Sequence, residues 1–124
     1  VSAASGSGSL SAGDAWVTLP GPEAGSGFGS ALEASANLDG DSFDDLLVGA
    51  PNKKVNGASN AGAVYIYYGT ILPQAATDGP DASIVSETSG TKLGSSVASG
   101  IDYDHAGHDE ILIGAPGHKS NKGA

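Results

Sequence analysis

The sequence predicts an all-β fold built from two tandem copies of one unit. The first observation is a repeat. The phrase FGSALEASANLDGDSFDDLLVGAP, Phe28 to Pro51, returns as LGSSVASGIDYDHAGHDEILIGAP, Leu93 to Pro116. Phe28 to Leu93 is 93 − 28 = 65 positions and Gly49 to Gly114 is 114 − 49 = 65, so no insertion or deletion separates the copies. The second is composition: 20 glycines in 124 residues, with few aromatics, favour short strands and turns over helices. The third is periodicity, since no stretch repeats convincingly every 3.6 residues and essentially no helix is expected.

Taken in order, Val1 to Gly13 has the Ser, Gly and Ala content of a linker, although its first residues read as a strand. Ala15 to Leu19 is a short β-prone run stopped by Pro20-Gly21-Pro22. Glycines surround Phe28 and lead into a strand over Ser30 to Ala36. Leu46-Leu47-Val48 is apolar without alternation, as expected of a strand buried on both faces. A polar loop follows from Asn52 to Asn60. Val64 to Tyr68 alternates aliphatic and aromatic residues and is the clearest strand. Ile71 to Asp81 reads as a connection, and Ser83 to Ser86 takes the place that Trp16 to Leu19 holds in the first copy. About four short strands per copy match a propeller blade or a β-solenoid unit.

The second copy ends Gly123-Ala124, where the first reads Gly62-Ala63 and continues into Val64. Joining Ala124 to the Val1 of another copy restores the phrase GAVxxxxG. On this register the chain is two whole repeats, 1–63 and 64–124, either excerpted from a longer array or docking head to tail.

The charge narrows the function. There are 14 acidic against 5 basic side chains, a formal charge of −9 and no arginine. Nucleic acid and anionic membranes are therefore poor partners. No apolar run is long enough to insert in a bilayer, and with no cysteine there is neither a disulfide framework nor a thiolate metal site. Eight of the 14 acids fall in two loops: Asp39, Asp41, Asp44, Asp45, Asp102, Asp104, Asp109 and Glu110. Acidity this local suits cation binding.

The first loop, Asn37 to Asp45, carries oxygen side chains at positions 1, 3, 5 and 9. A tight turn at that spacing points Asn37, Asp39 and Asp41 inward, and the Phe43 carbonyl and Asp45 close the shell. Calcium takes six to eight hard oxygens at flexible distances, and magnesium seldom accepts an all-protein cage. Neutral residues would suffice for a bare turn. The second loop, Asp102 to Glu110, keeps Asp102 and Asp104 at positions 1 and 3 and Glu110 at position 9. Its position 5 is Ala106, which has no oxygen to give; either water fills the gap at reduced affinity or only the turn survives.

Phe28-Gly29, the Asn37 to Asp45 loop, Gly49-Ala50-Pro51 and the Val64 to Gly69 strand together resemble the FG-GAP repeat. That is the blade motif of integrin α-subunit propellers and related bacterial surface proteins. The likeness covers nearly the whole chain. It implies two tandem four-stranded antiparallel blades, usually within a seven-bladed ring, and calcium in the hairpin joining the first two strands. The ligands it implies are Asn37, Asp39, Asp41, the Phe43 backbone and Asp45, then Asp102, Asp104, the His108 backbone and Glu110. Ser42, Leu93 and Ala106 depart from the pattern. Residues 1–63 would be one repeat, whose first strand completes the preceding blade, and 64–124 a second, incomplete without a following strand.

The expected function is a non-catalytic, calcium-binding structural or adhesive module, extracellular or at the cell surface. Its partners would be neighbouring repeats or identical subunits docked head to tail, with a protein or glycan ligand. The alternative is an accessory propeller of a larger secreted enzyme such as a phospholipase. His105, His108 and His118 lack a nucleophile elbow or a metal-type pairing and read as solvated. Trp16 and the tyrosines at 65, 67 and 68 read as blade packing. Lys53, Lys54, Lys119 and Lys122 read as solvated, or as meeting a neighbour's acidic loop.

Overall fold

The computed structural model describes residues 2–4, 15–41, 43–69 and 79–119. The 71–78 connection, Ser42, Lys122, the Trp16 side chain and the junction of Ala124 with Val1 lie outside them. Among the described residues there are eight strands and no helix. The strands are β1 (Ser2–Ala4), β2 (Ala15–Thr18), β3 (Ala31–Ala36), β4 (Asp45–Ala50), β5 (Ala63–Tyr67), β6 (Ala82–Val85), β7 (Ser96–Ile101) and β8 (Glu110–Gly114). All pairings between them are antiparallel. β3-β4-β5-β6 form a four-stranded sheet, flanked by the two-stranded sheets β1-β2 and β7-β8. By the 65-residue offset β7 corresponds to β3 and β8 to β4.

The central sheet is apolar on both faces because strand period two sends alternate residues to opposite sides. Val48, Ala50, Ala63, Tyr65 and Tyr67 share one face with Leu19, Phe28 and Leu46. The Phe28 ring meets Tyr65 tilted at 5.8 Å and Tyr67 edge-on at 6.5 Å. Burial raises the pKa of both tyrosines. Leu47, Val64 and Ile66 occupy the other face, covered by Val97, Ile111 and Ile113 of the next sheet. β4 is thus sandwiched between layers, which is why its sequence does not alternate.

Backbone bonds account for the Phe-Gly and Gly-Ala-Pro phrases. Within each copy the glycine after Phe28 or Leu93 donates its N–H to the glycine of the apolar strand: Gly29 N to Gly49 O and Gly94 N to Gly114 O, both 3.0 Å. The proline sits at the second position of a turn closed by Lys53 N to Ala50 O at 3.1 Å, repeated as His118 N to Ala115 O at 3.0 Å. Between copies, a Cβ built on Gly49 would lie 2.0 Å from Gly94 O, so only glycine allows this approach. A strap over 86–93 laces back onto the first copy through Ser86 N to Gly62 O, Gly90 N to Ser59 O, Lys92 N to Asn60 O and Leu93 N to Ala61 O.

Lys53 is not free in solvent. Its ammonium pairs with Glu23 at 3.1 Å, and Glu23 also accepts the Lys54 N–H at 2.9 Å. That backbone N–H, and then Lys53, hold the Glu23 carboxyl below its usual range.

Two substitutions at the same motif position should diverge. Gly49→Ala drives a methyl into the fixed Gly94 carbonyl and is expected to cost roughly 3 kcal/mol or more. At Gly114 the atom met is the Ser96 hydroxyl, which can rotate, so Gly114→Ala should cost under about 1 kcal/mol. Urea unfolding of both variants against the parent chain measures the difference.

Candidate metal centre

Both acidic loops leave their sheets through the same irregularity. The β3-β4 register shifts between Glu33 and Ala36, and the β7-β8 register between Ala98 and Ile101. Bulges of this kind bend a strand and re-aim the residues beyond the bend. Here each shift falls immediately before the loop's first residue, Asn37 or Asp102.

In the first loop Asp45 is the floor. The residue is 1% exposed, and its carboxylate accepts the Leu38 N–H at 2.7 Å and the Gly69 N–H at 3.1 Å. Asn37, Asp39 and Asp41 each fold one oxygen back onto the chain, accepting from Gly40 at 3.0 Å, Asp41 at 3.1 Å and Phe43 at 2.8 Å. These side-chain turns leave the second carboxylate oxygens of Asp39 and Asp41 for another partner. Carboxylate oxygens of Asp39, Asp41 and Asp45 all lie within 4.8 Å of one another. That is close enough for one metal ion to touch all three. An all-oxygen set suits a hard cation rather than zinc. Without a cation, each such pair of like charges costs roughly 3 kcal/mol at an effective dielectric of about 20, before solvent screening. Phe43 turns its ring outward, 55% exposed.

The second loop brings Asp102, Asp104 and Glu110 within the same 4.8 Å. Glu110 accepts the Tyr103 N–H, as Asp45 accepts that of Leu38. The first position differs. Asp102 engages both oxygens in the turn, accepting from Ala106 at 2.9 Å and Gly107 at 3.0 Å. Asp104 also accepts the Ala106 N–H, at 3.0 Å. With no side-chain oxygen at Ala106, this loop offers a cation less than the first does. His105 and His108 are exposed.

The two loops touch. Asn37 N donates to Asp109 Oδ2 at 2.9 Å, and Asp109 N donates to Asn37 O at 2.8 Å. Sequence reasoning did not assign Asp109 a role, because it acts across two copies. The only sequence signal is a second acid, Asp44, at the same loop position.

A family model for the FG-GAP repeat matches residues 28–67. Integrin alpha-3 of Cricetulus griseus is 38% identical over 100 residues, covering 79% of this chain and 9% of that protein. Integrin alpha pat-2 of Caenorhabditis briggsae is 33% identical over 71% of this chain and 7% of its own length. Integrin alpha-2 of Mus musculus is 32% identical over 84% of this chain and 9% of its own length. The chain thus spans less than a tenth of these curated relatives. No helix among the described residues is long and apolar enough to cross a membrane.

Position 4 separates the loops in a testable way. Gly40 has φ 78° and His105 φ 57°, a region that costs a side chain roughly 1–2 kcal/mol. His105→Gly should therefore stabilise the chain by about 0.5–1 kcal/mol, after the added chain entropy of glycine is subtracted. Gly40→Ala should destabilise it by about 1 kcal/mol. Thermal melts of the two variants provide the comparison.

Proposed function

Because the chain carries an FG-GAP repeat of the integrin α-subunit type, we propose that it is a non-catalytic, calcium-stiffened adhesive or structural module working outside the cell. The observation that carries this reading is the convergence of Asp39, Asp41 and Asp45 to within 4.8 Å around a buried floor. Asn37 and the Phe43 carbonyl complete the oxygen set in the first loop. Asp102, Asp104, the His108 carbonyl and Glu110 form a weaker counterpart. The ion removes the repulsion among the acids and thereby holds the hairpin, and with it the ends of β3 and β4.

Its partners are further repeats of the same kind. β8 corresponds to β4, whose second edge carries β5. The equivalent edge of β8 is the docking line for a β5-like strand of a neighbouring repeat or an identical copy. Leu112, 52% exposed, lies on the face that corresponds to Leu47 and supplies apolar area for that neighbour.

Calcium at a hundred times its dissociation constant should add about 2.7 kcal/mol and raise the melting temperature by on the order of 10 °C, with chelator reversing the change. Asp41→Asn should lose most of that shift, whereas Asp44→Asn, outside the carboxylate cluster, should keep it. A melting temperature indifferent to calcium and chelator would contradict the reading. If identical copies dock, sedimentation velocity should show mass rising with concentration, and Leu112→Asp should abolish the rise.

A further inference from the structure

We infer that Asp109 is a positioning residue for the first loop, so that the cation affinity of one repeat is set by the repeat that comes after it. The inference rests on the calcium reading of the first loop. What it adds is a contribution from outside that loop.

Asn37 opens the first loop and is pinned from outside it. Its N–H and its carbonyl both go to Asp109, at 2.9 Å and 2.8 Å. The next residue, Leu38, gives its N–H to Asp45. The peptides at positions 1 and 2 are therefore held from opposite directions, one by the second repeat and one by the loop's own floor. The Asn37 side chain then caps Gly40, so the first turn of the loop inherits its placement from Asp109. Asp109 is itself half-buried between the loops, and a Cβ on Gly40 would come 3.9 Å from Gly107 O.

Asp109 gives Asn37 an acceptor for its N–H and a donor for its carbonyl, and a neutral amide oxygen would accept the same N–H. A pre-placed loop also forfeits less conformational freedom on binding. The linkage is reciprocal: an ion that fixes Asn37 must in turn protect the Asp109 amide, which belongs to the other copy.

The test is a calcium titration of the ¹⁵N-labelled full chain, following the Gly40 amide for the first loop and the Gly107 amide for the second. Asp109→Ala is expected to raise the calcium midpoint at Gly40 about tenfold, near the low end for linked sites. Asp109→Asn, which keeps an acceptor, should stay within about threefold of the parent. In the parent chain, saturating calcium should slow hydrogen exchange at the Asp109 amide. Equal Gly40 midpoints in the parent and Asp109→Ala would overturn the inference while leaving calcium binding intact. A Gly40 amide indifferent to calcium would remove the calcium reading and this inference together. If Asp109→Ala fails to fold, exchange in the parent decides: no calcium-dependent protection at Asp109 sinks the proposal.

Discussion

The fold depends on one main-chain contact, that of Gly49 in β4 against Gly94 of the second copy. Gly94 works in two directions. Its N–H closes its own copy onto Gly114, while its carbonyl rests where a Gly49 side chain would begin. Sheets pack about 10 Å apart when side chains separate them, and bare backbone lets the chain come much nearer at one corner. Once that corner is fixed, the apolar faces close. Leu47, Val64 and Ile66 meet Val97, Ile111 and Ile113, and the two acidic hairpins are brought side by side at the same rim.

The acidic loops are best understood through the hydrogen bonds each carboxylate already makes without an ion. Each takes part in shaping the turn, and the loops differ in how much capacity remains. In the first, Asp39 and Asp41 each keep an oxygen unused by the turn while Asp45 is anchored below them. In the second, Asp102 accepts the Ala106 and Gly107 amides where Asn37 accepts only that of Gly40, and each Asp102 oxygen keeps a lone pair, as those of Asp45 do. The loops therefore differ chiefly at position 5, where Ala106 has no side-chain oxygen to offer.

Much of the architecture was legible in the chain because it is written in strong local terms. The unalternating Leu46 to Val48 run marked a strand buried on both faces, and the alternation over Val64 to Tyr68 marked the clearest strand; β4 and β5 are those strands. The bulges at Glu33–Ala36 and Ala98–Ile101 were not legible, since a one-residue offset in pairing leaves no compositional trace. Lys53 looked like a solvated charge, and its Glu23 partner lies 30 positions away. Asp109 was hidden for the same reason: its hydrogen bonds go to a residue 72 positions distant. Local spacing shows which atoms a loop can offer a cation, but not which neighbours hold the loop still.

The strap over 86–93 has a geometric consequence. It is tied to residues 59–62 by main-chain donors and acceptors, with a side-chain bond beside them from Asn56 Nδ2 to Glu87 Oε1 at 2.8 Å, so the lacing itself asks little of the other side chains in the segment. The strap's outward side chains are then free to vary, and new surface chemistry can be acquired there without unlacing one sheet from the next.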